Sequence, residues 1–225
     1  QTFDEAGLLS VSVPSVVRCP GMEPELRAFD VRPRSAIELR DHWLHTSPEL
    51  AIKAVLAQVG ADVWCMARVY RDDPPSPHHH AEFTMIEWYR LNAASARLMD
   101  DLELLVARLL AAPLPGAAGL PGAAAPRPVE EAAGAPARIS VREAFARWVG
   151  VAPDAPVDAL AAAAAPLGGT AEWGWNGLFT LLYTERVEPR LGGLGPVFVT
   201  DFPAAAAALA RLQPHDATVA DRFEP

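Results

Sequence analysis

The chain has 225 residues, 51% of them hydrophobic, with 28 acids against 19 lysines and arginines for a formal charge of −9. That is enough apolar material for one substantial core, and the acidic balance argues against a surface built to grip a phosphate backbone, so nucleic acid is not the expected partner. No apolar run reaches the roughly 18 residues that cross a bilayer and no basic leader precedes an apolar segment, so no membrane association is expected; two cysteines, Cys19 and Cys65, in no metal-ligand spacing, fit a reducing, cytoplasmic setting.

In chain order, QTFDEAG reads as the end of a helix stopped by Gly7, and LLSVSVP alternates like a strand until Pro14. Residues up to about 40 read as loop. Thr46 and Glu49 then stand at capping-box spacing, with Pro48 in the first turn and an apolar stripe of Leu50, Val55 and Leu56 ahead of Gly60, which predicts a helix. Residues 62–71 and 82–90, rich in Val, Trp, Tyr and Phe, predict two strands joined by a polar loop containing Pro74, Pro75 and Pro77. A helix over about 94–111 follows.

From about 111 to 137 the sequence is almost entirely Ala, Pro and Gly, which cannot bury enough apolar area to offset ordering entropy and predicts a flexible insertion. Three helical segments come next: SVREAFARWVG, with Ser140 capping against Glu143, then VDALAAAAAPLG, then WNGLFTLLYTERVEPRLG. GPVFVTDFP is the last clear strand. There is no internal repeat. The opening on Gln1 and the stop at RFEP lead to the expectation of a chain truncated at both ends.

Side chains alternate along a strand, so Phe83, Met85, Glu87 and Tyr89 share one side and Glu82, Thr84, Ile86 and Trp88 the other. One face thus lines up an aromatic ring, a carboxylate and a phenol. Arg71, at the end of the preceding strand, is placed to reach a phosphate bound under the loop. The pattern suggests a nucleotide at one end and a small cationic molecule at the other. Blander readings stand beside this one: Arg71 pairing with Asp72 or Asp73, Glu87 as an exposed strand acid, Glu49 as part of a helix cap, and Met85 with Trp88, Trp173 and Trp175 as packing residues. Consecutive histidines on an extended loop point in different directions, so His78, His79 and His80 argue against a shared metal, and no metal site is expected.

The run HTSPELAIKAVL followed by RVYRDDPPSPHHHAEFTMIEWYR resembles motif 2 of the class II aminoacyl-tRNA synthetases, in the lysine-specific branch. Its ending, EWYR, is more similar to the elongation factor P lysine ligases, paralogues of the lysyl-tRNA synthetases. GLLSVSVP resembles the motif 1 strand, with Pro14 as its proline, and FTLLYTERVEPRLG, VFVTDFPA and ATVADRFE fall in that family's order. The resemblance implies an α+β fold with a mostly antiparallel sheet flanked by helices, and residues 1–225 as part of one catalytic core. It implies ATP and Mg²⁺, activation of lysine or (R)-β-lysine as an adenylate, transfer to a lysine of elongation factor P, and a homodimer. Position by position, it gives Arg71 to the α-phosphate as the catalytic residue, Asp73 to the adenine amino group, His79 to the outer phosphates and Phe83 to stacking on adenine. It gives Glu49 to the substrate α-amino end, and Glu87 with Tyr89 to the distal ammonium.

The chain departs from the family pattern in several places. Asp73 stands where the family carries Glu, Pro77 where it carries Arg, His80 where it carries Asn and Ala81 where it carries Pro. Neither the acidic strand that supplies Mg²⁺ ligands nor the glycine-rich motif 3 precedes Pro225, so the expectation is that this stretch does not adenylate alone. Two alternatives remain at this point: the catalytic domain of a lysyl-tRNA synthetase, and a catalytically decayed paralogue that acts by binding.

Overall fold

The structure is a computed structural model that describes residues 2–23, 26–34, 41–74, 76, 79–111 and 136–225. The chain divides into two compact units, residues 1–93 and 94–225.

In the first unit, helix α1 (Thr2–Glu5) ends at Gly7, whose φ of 83° is open to a residue without Cβ. Strand β1 (Leu9–Ser10) pairs in parallel with β4 (Val63–Tyr70). The alternating segment expected as a longer strand leaves the ladder soon after the Val11 amide donates to the Trp64 carbonyl at 2.9 Å, yet Val11 and Val13 still pack against buried Ile52, Val63 and Cys65. Its apolar period records burial rather than continued pairing. In the stretch expected to be loop, β2 (Val16–Val17) forms a short antiparallel ribbon with β3 (Trp43–Leu44), which lies just past that stretch.

Helix α2 (Glu49–Val59) closes on Gly60, in the left-handed conformation at φ 61°, where the Gly60 amide donates to the Leu56 carbonyl. Its start corrects the expected cap. Thr46 does not cap the helix; it is buried, and its amide and its hydroxyl both donate to the Pro20 carbonyl, each at 3.0 Å. The Ser47 hydroxyl accepts from the Glu49 amide at 3.1 Å instead. Strands β4 and β5 (Glu82–Tyr89) form an uninterrupted antiparallel ladder from Val63↔Tyr89 to Tyr70↔Glu82. One face of that ladder meets α2 through Ile52. The other carries Trp64 and Trp88, whose rings lie 5.5 and 5.1 Å from Phe3.

The second unit opens with α3 (Ser95–Ala111) and resumes at β6 (Ala137–Ser140), so both limits of the expected insertion fall in regular elements, while residues 112–135 lie outside the described residues. Helices α4 (Val141–Trp148), α5 (Val157–Ala164), α6 (Gly174–Leu182) and α7 (Glu188–Leu191) follow, with a π turn at Tyr183–Val187 before α7. Ser140 and Glu143 form the expected capping box: the Ser140 hydroxyl accepts from the Glu143 amide and the Glu143 carboxylate from the Ser140 amide. Strands β7 (Val197–Pro203), β8 (Leu212–Gln213) and β9 (Asp216–Glu224) complete a sheet in the order β6-β7-β9-β8. Only β6 and β7 pair in parallel there. GPVFVTDFP is therefore not the last strand. DATVADRFE carries too many charges to show a clean alternation, and β7 recruits it by pairing. The core is built from Val141, Phe145, Leu160, Leu178, Leu182, Val187 and Val199, with Phe145 and Trp175 stacked on Phe179 at 5.3 and 4.8 Å. Secondary structure is thus mixed α+β, as expected.

Candidate functional site

The site grows from the β4–β5 face that α2 only partly covers. Paired residues of an antiparallel ladder share a face, so Val63, Cys65, Ala67 and Val69 stand with Tyr89, Glu87, Met85 and Phe83. Helix α2 packs on the Val63, Cys65 and Tyr89 end. Arg71 follows β4 on the Phe83 side. Its amide donates to the Ala81 carbonyl at 2.9 Å and its Nε to the Thr46 carbonyl at 3.2 Å, and the guanidinium carbon lies 5.2 Å from the Phe83 ring centroid. Among the described residues no carboxylate pairs with Arg71, so the reading in which it simply closes on Asp72 or Asp73 does not hold. The backbone of Asp72 is tied elsewhere, its amide donating to the Arg27 carbonyl at 2.9 Å.

Asp73 is half-buried in the loop after β4, with no hydrogen bond or ion pair among the described residues. His79 is exposed, its Nδ1 2.7 Å from the Ser76 hydroxyl. No hydrogen bond, ion pair or ring contact joins Asp73 or His79 to Arg71 or Phe83 among the described residues. His80 is exposed, and Pro77 and His78 lie outside the described residues.

At the other end, the Glu87 carboxylate accepts from the Ser47 hydroxyl at 2.6 Å and from the Tyr89 phenol at 3.1 Å. Burial holds its pKa above the usual carboxylate range against the pull of those two donors, and the negative charge of Glu49 adds to the rise. Burial, then Glu87 and Glu49, also push up the Tyr89 phenol. Cys65, cross-strand from Glu87, is pushed up to about 11 by burial and by that carboxylate. Glu49 sits in the first turn of α2 and pairs with Lys53 one turn on, and the Lys53 ammonium lies 5.7 Å from the Tyr89 ring centroid. The structure therefore brings Glu49, Glu87 and Tyr89 into one cluster and adds two members, Ser47 and Lys53. The i, i+4 spacing of Glu49 and Lys53 was the available signal for the lysine. Nothing local in the sequence marked Ser47 as a partner of a residue 40 positions away.

Phe83 and Glu87 stand four residues apart on one strand face, about 13 Å at the rise of a β-strand. A guanidinium backed by an aromatic ring is suited to an anion carried beside a flat heterocycle. Two carboxylates, one of them strongly desolvated, are suited to an ammonium. Within the second unit, the segments FTLLYTERVEPRLG, VFVTDFPA and ATVADRFE line a cavity of about 630 Å³, with Tyr183, Glu188, Phe202, Arg222 and Glu224 among its walls. Arg222 lies 4.6 Å from the Phe202 ring there. Among the described residues no group of three or more His, Cys, Asp or Glu is arranged to hold a metal, and no helix is long and apolar enough to cross a membrane.

The family model for class II tRNA synthetases (D, K and N) matches residues 1–224, and the chain belongs to that family. Within it, the chain is 32% identical over 231 residues to the elongation factor P–(R)-β-lysine ligase of Vibrio vulnificus, covering 100% of this chain and 65% of the relative. Against the proteins of the same name from Vibrio cholerae and Yersinia enterocolitica, identity is 31% and 32%, over 99% of this chain and 64% of each relative. The chain thus spans just under two thirds of the length of these relatives.

Proposed function

We propose that residues 1–225 are part of the catalytic core of an ATP-dependent ligase that activates lysine or (R)-β-lysine and transfers it to a lysine of elongation factor P. The observation that carries this reading is the single strand face on which Arg71 and Phe83 stand at one end and Glu87 and Tyr89 at the other. In the first step, a carboxylate oxygen of the amino acid attacks the α-phosphorus of ATP, the bond to the bridging oxygen breaks, and pyrophosphate leaves. In the second, the ε-amino group of the acceptor lysine attacks the acyl carbon, releases AMP and loses a proton.

Arg71 holds the α-phosphate through the guanidinium edge its Nε does not use, and Phe83 stacks under adenine. Asp73 takes the adenine amino group and His79 the outer phosphates. Glu49 takes the amino group near the reacting carboxylate, and Glu87 with Tyr89 the distal ammonium. Mg²⁺ is read as entering with the nucleotide, as the MgATP substrate, and no step is assigned to it. The relatives' shared name supports the elongation factor P reading over a tRNA acceptor, and the class II family supports a homodimer and a cytoplasmic protein. The test is ATP–pyrophosphate exchange by the full-length protein with MgATP and (R)-β-lysine. Exchange that requires the amino acid is expected. None from a full-length, folded protein rejects the enzymatic reading in favour of a decayed paralogue.

A further inference from the structure

A helical Glu→Lys pair one turn apart is ordinarily a surface feature of small consequence. The pair of Glu49 and Lys53 is placed differently. The Lys53 ammonium contacts the Glu49 carboxylate and lies 5.7 Å from the centroid of the Tyr89 ring, and these are the two kinds of group that any ammonium seeks. Tyr89 in turn donates to Glu87, and the charges of Glu49 and of Lys53 are both felt at Glu87, with opposite sign. The lysine therefore sits within the cluster read as the amino-acid site.

Charge counting gives this placement a consequence. The cluster holds two acids, Glu49 and Glu87, and one resident cation. With Lys53 in place Glu49 is neutralised, and the negative charge that remains lies at Glu87, whose oxygens are met by two neutral hydroxyls and by no ion-pair partner among the described residues. That arrangement accepts one ammonium. With Lys53 swung away, two carboxylates face two open positions, the complement of an amino acid carrying two ammonium groups. The motion is open to Lys53: its side chain is 41% exposed, on a long stem at the helix surface. Two cations cannot share Glu49 without repelling each other, so an incoming amino group and Lys53 exclude one another there.

We propose that Lys53 is a built-in competitor for Glu49: its ammonium occupies the place of the substrate's α- or β-amino group in the empty site, is expelled when a diamino acid binds, and so sets how the site discriminates diamino from monoamino acids. This inference rests on reading the cluster as a diamino-acid site. A ligand with only the distal ammonium leaves Lys53 where it is, whereas a diamino acid has to displace it.

The test is calorimetric titration of the full-length wild type and of Lys53→Met with L-lysine and with 6-aminohexanoate, which keeps the distal ammonium and lacks the α-amino group. The expected result is that Lys53→Met binds lysine about tenfold tighter, while its affinity for 6-aminohexanoate changes by less than about threefold. Thermal unfolding checks that the variant is folded, as expected for a half-exposed position at the helix surface. Lysine binding that is unchanged or weaker in the variant, or a tightening by the same factor for both ligands, overturns the proposal. The two readings fail separately: a wild type that binds neither compound removes the diamino-acid site and this inference with it, whereas a wild type that binds lysine and a variant that does not tighten selectively remove only the role of Lys53.

Discussion

The guanidinium of Arg71 stacks over the ring of Phe83 at 5.2 Å while its Nε is spent on the carbonyl of Thr46, so the side chain is held from two directions before any ligand arrives. An arginine fixed this way presents its remaining donors in one plane, which is the condition under which a phosphate is gripped without reorganisation. Replacing Arg71 by Ala is expected to lower pyrophosphate exchange by about 10²–10³-fold. Arg71→Lys should recover little of it, because an ammonium loses both the fork and the stacking. Phe83→Ala should act on KM for ATP, raising it about fivefold, as the loss of one stacking contact implies. Exchange in Arg71→Ala within a few-fold of wild type would remove Arg71 from the chemistry.

Glu87 gives a prediction with opposite signs for stability and for function. Its folded pKa stands above the ordinary carboxylate value, chiefly through burial, so the folded state binds the proton more readily than the unfolded chain does. Stability from this group is therefore complete below the unfolded pKa, near 4.3 for a free glutamate, and is lost as pH rises through the folded value. Glu87→Gln does not titrate. It should melt within error of wild type below that window and about 3 °C higher above it, while losing lysine-dependent exchange because an amide cannot pair with an ammonium. A melting difference that is the same at every pH would show that burial of the charge is not what the substitution relieves.

How much of this could be read beforehand depended on whether the signal was local. The two central strands, their shared face and the Ser140 cap come from alternation and from residues three apart, and they stand in the structure as read. The strand at Asp216–Glu224 did not announce itself, because a charged, sparsely apolar segment becomes a strand only through the neighbour it pairs with. The Thr46 cap failed for a similar reason: the Thr46 amide docks on the carbonyl of Pro20, 26 residues away, and the hydroxyl follows it to the same oxygen. Within the candidate site, Arg71, Phe83, Glu87 and Tyr89 were legible from the strand period. Ser47 reaches Glu87 only because α2 crosses that face, and a helix crossing leaves no mark in the strand's own sequence.

The capping box of α4 should behave as one motif. Ser140→Ala removes the acceptor for the Glu143 amide and is expected to cost about 1 kcal/mol, lowering Tm by about 2–4 °C. Glu143→Ala removes the reciprocal bond to the Ser140 amide. Because the Glu143 carboxylate also accepts from the Ser140 hydroxyl at 2.8 Å, the double variant should lose less than the sum of the two single losses. Strict additivity in a thermal or chemical denaturation series would count against a reciprocal box.

The two cysteines should separate cleanly by reactivity. Cys19 is exposed, whereas Cys65 is buried on the β4 strand opposite Glu87, and burial with that nearby carboxylate pushes its thiol up to about 11. The thiolate is the reacting species, so at pH 8 Cys65 is both shielded and almost wholly protonated. A disulfide reagent such as 5,5′-dithiobis(2-nitrobenzoate) should therefore titrate one thiol per chain in the native protein and two in denaturant. Cys19→Ser should abolish the native reaction. Saturating lysine should leave the Cys65 thiol as unreactive as before, since a ligand on Glu87 covers that strand face further. A native Cys19→Ser protein that still reacts within minutes would mean that the β4–β5 face around Cys65 opens to solvent, and the desolvation assigned to Glu87 would fall with it.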